Sequence, residues 1–131
     1  MTTSQSENFT FCIVDDDYFT ETLKNVVNNR TVANKKTQIR NVSETDQMTD
    51  CNLLYIPQHS PSLNSFYINK VSKLQILTIG NSTTFIKLGG MIRFYTKNNK
   101  LKFEINNLKA LDVGLKIDSQ LLRLGKGSDD D

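Results

Sequence analysis

Short apolar runs separated by polar clusters recur from Phe9 to Leu124, and their spacing switches between the period of a strand and that of a helix. Phe9-Thr10-Phe11-Cys12-Ile13-Val14 is rich in aromatic and β-branched residues and stops at Asp15-Asp16-Asp17, which predicts a buried strand ending in a polar loop. Phe19, Leu23, Val26 and Val27 follow at helical spacing, with Asp17 or Thr20 available as N-cap and Asn28-Asn29 as a stop. Lys36 to Val42 reads as a second strand at a sheet edge, because only Ile39 and Val42 are strongly apolar in it. A third strand, Asn52 to Ile56, is halted by Pro57, and Pro61 sits where the first turn of a helix accepts proline. Leu63, Phe66, Tyr67 and Val71 recur along that helix, and Leu74 to Ile79 makes a fourth strand before a Gly80-Asn81 turn.

The pattern then changes. Thr83 to Leu88 has room for one or two helical turns before Gly89-Gly90, a natural left-handed cap. Met91 to Thr96 and Lys100 to Ile105 flank Lys97-Asn98-Asn99, where Asn tolerates positive φ, so the two runs predict an antiparallel hairpin. Leu108, Leu111 and Val113 suggest a short helix ending at Gly114, and Leu115, Ile117, Leu121, Leu122 and Leu124 a second helical segment. The expected fold is α/β with three layers: a flavodoxin-like mixed sheet, parallel strands in the order 2-1-3-4, extended by the C-terminal hairpin and flanked by short helices. One domain over residues 9–125 is expected, between disordered segments 1–8 and 126–131.

Composition narrows the function classes. The chain has 131 residues, 16 Lys plus Arg against 14 Asp plus Glu, and 37% hydrophobic residues, enough for a modest core. A formal charge of +2 with interspersed signs argues against a nucleic-acid binder that relies on phosphate neutralisation. Arg93-Phe94-Tyr95-Thr96-Lys97 imitates an RNA-binding strand, but alternation puts Arg93 and Tyr95 on one face and Phe94 on the other. No apolar run is long enough to span a membrane, and Met1 to Glu7 lacks the regions of a signal peptide. The sequons at Asn8, Asn29, Asn41 and Asn81 carry little weight in a chain so rich in Asn, Ser and Thr.

Every catalytic pattern is incomplete. The acidic triplet ends its strand where phosphoacceptor receiver domains bind magnesium, but the third strand ends Ile56-Pro57-Gln58 and the fifth Tyr95-Thr96, without the acceptor Asp and the Lys such a domain needs. The triplet is better read as a solvated loop that caps a helix. His59 would lie at the carboxyl edge of the sheet, where ligands bind in open α/β folds, yet Ser60 and Ser62 sit in no nucleophile elbow. Gly89-Gly90 has neither dinucleotide nor Walker spacing. One His and two Cys match no zinc motif, and no metal or cofactor is expected. Cys12 and Cys51 lie on or beside neighbouring strands, so spacing alone leaves two outcomes open: a bridge worth roughly 4 kcal/mol, or two buried thiols.

Gly89-Gly90-Met91-Ile92-Arg93-Phe94, then Phe103-Glu104-Ile105-Asn106, then Gly114-Leu115-Lys116-Ile117-Asp118-Ser119-Gln120-Leu121-Leu122, together with Asp16-Asp17 and Phe19, resemble the YfiR family of bacterial periplasmic regulators in order and spacing. The resemblance covers about Phe9 to Leu124. It implies a non-enzymatic protein that binds the periplasmic sensing part of a membrane diguanylate cyclase and holds it inactive, lowering cyclic di-GMP and biofilm formation. It leaves room for a homodimer, with no nucleic acid as partner. A ligand-sensing module of a sensor kinase system is the alternative, and a receiver-like phosphoacceptor the second. A periplasmic location would favour a Cys12–Cys51 disulfide. Family members carry a signal peptide and an aromatic-rich helix before the first strand; neither is seen in this chain, so one apolar sheet face is expected to lie open and to self-associate. Most motif residues are expected to be structural, while Arg93, Tyr95 and Glu104, with the strand-end residues Asp16, Gln58 and His59, are the expected partner contacts.

Overall fold

The computed structural model describes residues 8–27, 31–32, 35–57 and 61–115. The elements are β1 (Asn8–Val14), α1 (Asp17–Val27), β2 (Thr31–Val32), β3 (Lys35–Val42), β4 (Leu53–Ile56), α2 (Pro61–Lys70), β5 (Leu77–Gly80), β6 (Ile92–Lys97), β7 (Lys100–Ile105) and α3 (Asn107–Asp112). They form a seven-stranded sheet in the order β2-β3-β1-β4-β5-β6-β7. Strands β3, β1, β4, β5 and β6 are parallel, while β2 and β7 run antiparallel to their neighbours. Because β2 takes a number, the expected 2-1-3-4 order is here β3-β1-β4-β5. The added β2 also corrects one expectation: β3 is not the edge strand, since Val32 and Thr31 pair with Lys35 and Lys36. Two residues carry no periodicity to read.

Alternation sorts the strand residues onto two faces. Cys12 and Val14 of β1, and Leu54 and Ile56 of β4, meet Tyr67, Ile68 and Val71 around α2 in a cluster that also holds Val42, Met48, Cys51, Ile76 and Phe85. The α2 helix therefore covers that face. On the opposite face Tyr55 meets Phe19 of α1 edge-on, with ring centroids 5.3 Å apart. Farther along that face, Met91, Ile92 and Ala110 gather Leu77, Ile79, Phe103 and Ile105 around α3. Phe9, Phe11, Leu53 and Phe94 on this side are only half-buried, and Leu101 is 59% exposed.

Local chemistry sets the ends of the elements. The cap of α1 is Asp16, not Asp17 or Thr20: its Oδ1 accepts from the Phe19 backbone N–H at 2.9 Å, and Asp17 lies inside the first turn. The starts at Asn8, Leu53 and Ile92 lie within one residue of the expected ones, as fraying allows, whereas β5 starts at Leu77 and not Leu74 because the Leu74 N–H donates to Val71 O at 3.0 Å in a turn. Asn98 and Asn99 take φ values of 54° and 62° in the hairpin turn, the geometry that suits twisted strands. Gly89, at φ +106°, ends the turn that starts near Thr83. Gly90 is required for a different reason. A Cβ there would come within 2.2 Å of the Phe85 ring, which is fully buried.

Candidate functional site

Two places hold expected contact residues. The first is the carboxyl edge of the sheet beside β1. The Asp15 backbone N–H donates to Val42 O at 2.9 Å, prolonging the parallel ladder by one bond, and Asp15 then turns into the left-handed region at φ 47°. Its Oδ2 accepts from the Tyr67 hydroxyl at 3.2 Å. Burial, with Asp15 beside it, pushes the Tyr67 pKa up to about 12. The backbone N–H of Asp16 donates to Asn41 Oδ1 at 2.8 Å, so β3 fixes the loop as well. Tyr55 and Phe94 stack with centroids 5.8 Å apart, and burial followed by the nearby Asp16 charge holds the Tyr55 hydroxyl above its ordinary pKa. The edge is thus an aromatic row, Phe19–Tyr55–Phe94, with a carboxylate at one end. Gln58 and His59 lie outside the described residues. Among the described residues no group of three His, Cys, Asp or Glu side chains converges to hold a metal.

The second place is the hairpin. Arg93 lies directly opposite Glu104 in the β6–β7 register, and the two form an ion pair. The Arg93 guanidinium also lies over the Tyr95 ring, its carbon 4.4 Å from the centroid. Its Nε is buried without a partner among the described residues. The three residues expected from the sequence as contacts are therefore one assembled unit. Asp16 is not part of it, because three strand spacings, about 14 Å, separate β1 from β6.

The motif residues mostly build this support. Met91 receives a hydrogen bond on its carbonyl from the Asn106 N–H, and its own N–H donates to Thr78 Oγ1 at 3.0 Å. Ile92, Phe103 and Ile105 pack in the α3 cluster with Leu115, while Phe94 stacks on Tyr55. Asn106 caps α3 by accepting from the Lys109 N–H at 3.2 Å, and Gly114, at φ +83°, follows the helix. Ile117, Ser119, Leu121 and Leu122 lie outside the described residues. Cys12 and Cys51 are joined, with Cα atoms 5.9 Å apart and both residues at most 1% exposed. Sequence reasoning missed Tyr67 as the partner of Asp15 and Asn41 as that of Asp16. No local signal announces either, because both contacts depend on strand order.

The described residues thus form a mixed α/β domain with an acidic turn at the carboxyl edge of its sheet and a buried disulfide. The chain belongs to the YfiR/HmsC-like family, whose model matches residues 1–126. A search of curated proteins gave no match. The family is regulatory and periplasmic, and a disulfide suits an oxidising compartment. Among the described residues no helix is long and apolar enough to cross a membrane.

Proposed function

We propose that this protein is a periplasmic regulator that binds the sensing part of an inner-membrane diguanylate cyclase and holds it inactive. It would act stoichiometrically, not by turnover, lowering cyclic di-GMP and biofilm formation. The family match over residues 1–126 carries this reading. The assembled Arg93–Tyr95–Glu104 unit supports it as a contact surface, because a paired Arg on an aromatic ring is a pre-ordered contact that costs little side-chain entropy on binding. The carboxyl-edge row of Phe19, Tyr55 and Phe94 supports a second reading, a module that senses a small ligand with a flat ring.

Cyclic di-GMP measured in the source bacterium with the gene deleted and then restored tests the first reading. Deletion should raise the level and restoration should lower it again. An unchanged level with the protein expressed and intact would reject cyclase repression. The second reading predicts a ligand-induced rise in melting temperature without a protein partner.

A further inference from the structure

Alternation concentrates charge on one side of the hairpin. Arg93, Tyr95 and Lys97 of β6 lie directly opposite Glu104, Lys102 and Lys100 of β7, so these six side chains share a face. The other face takes Ile92, Phe94, Leu101, Phe103 and Ile105. Among the described residues the polar face carries four cations, of which Lys102 has an interaction of its own, and one carboxylate. At the inner rung Arg93 is matched by Glu104. At the outer rung Lys97 and Lys100, both exposed, oppose each other beside the tight Asn98-Asn99 turn. Like charges placed directly opposite destabilise an antiparallel pair, and an anion held between them removes that cost.

We propose that this hairpin face docks an acidic, extended segment of a partner protein. The proposal deepens the regulator reading and rests on it for the partner's identity. Spaced carboxylates match a two-column ladder. Nucleic acid fits less well: the whole chain carries a formal charge of only +2, Glu104 lies within the ladder, and Arg93 covers the Tyr95 ring on which a base would stack.

The test is fluorescence anisotropy of a labelled oligo-glutamate peptide, against a neutral Gly-Ser peptide of equal length. Glutamate binding should weaken steeply as salt rises to roughly 0.3 M, where charges more than several ångström apart are screened. Lys97→Glu should weaken it by about tenfold, while a Lys24→Glu control changes it by less than about twofold. Lys97→Glu turns the repulsive rung into an ion pair, so its melting temperature should be no lower than that of the unaltered chain and unfolding cannot account for the loss. Unchanged peptide affinity in Lys97→Glu overturns the proposal. So does tighter binding of an oligothymidylate or of phosphatidylglycerol vesicles than of the peptide. A strain lacking the gene separates the two readings. Low cyclic di-GMP restored by the unaltered chain and not by Lys97→Glu supports both. Restoration by both overturns the docking face and keeps the regulator; restoration by neither overturns the regulator and leaves the docking face decided by the peptide.

Discussion

The sheet has a thick half and a thin half. Among the described residues, twelve buried residues, the disulfide-bonded Cys12 and Cys51 among them, form one cluster around β1, β3, β4 and α2, while around β6, β7 and α3 three buried residues, Met91, Ile92 and Ala110, anchor the second. The expected contact unit Arg93–Tyr95–Glu104 sits on the thin half. On the proposed reading, stability and recognition fall to different parts of the molecule: buried area scales with apolar contact, whereas a binding strand must keep one face in water. The thin half should open locally at lower free energy than the thick half, which amide hydrogen exchange would show as slower exchange in β1 than in β7.

Removing the bridge should break the thick half most. Cys12→Ser with Cys51→Ser should cost about 4 kcal/mol on the chain-entropy account, measured by urea unfolding under conditions where the parent stays oxidised. A much smaller loss would mean that the cluster does not depend on its covalent tie. Gly90→Ala acts where the halves meet, because the new methyl would overlap the Phe85 ring; about 2 kcal/mol of stability should be lost. A melting temperature equal to the parent's would show that Phe85 can move aside.

Asn106→Ala should sharpen the contrast by removing the α3 cap at a cost of about 1 kcal/mol. Exchange should accelerate in β6 and β7 and stay unchanged in β1; uniform acceleration would mean that the two halves unfold as one. The last effect is a slope at alkaline pH. Tyr67 has a folded pKa of about 12 against an ordinary 10.0. The unfolded tyrosine thus ionises first, and the contribution of the neutral hydroxyl, complete below pH 10.0, is lost as pH rises toward about 12. Tyr67→Phe should flatten that part of the stability profile while costing about 1 kcal/mol at neutral pH. A slope unchanged in the variant would assign it to another group.

Much of this architecture was written in local pattern. The apolar runs of β1, β4 and β5, Pro61 at the start of α2, and the Asn98-Asn99 turn each announce an element through backbone preferences that act over a few residues. The Arg93 and Tyr95 side of the hairpin followed from period-two alternation, and extending the same alternation across the turn would have found Lys97, Lys100 and Lys102 on that face. Motif order sufficed to indicate the family.

Other features depended on the assembled sheet. The two-residue β2 exists because β3 offers it an edge, and the choice of Asp16 over Asp17 as cap depends on where the chain leaves β1. Spacing left Cys12 and Cys51 undecided between a bridge and two thiols; the β1–β4 pairing brings them within reach. Tyr67 meets Asp15 across 52 positions of sequence only because α2 lies over the end of β1. Local sequence determined which segments became strands, helices and turns, since those energies are short-ranged. The tertiary structure alone decided which side chains meet, because strand order and the face each helix covers are settled by burial of the whole core.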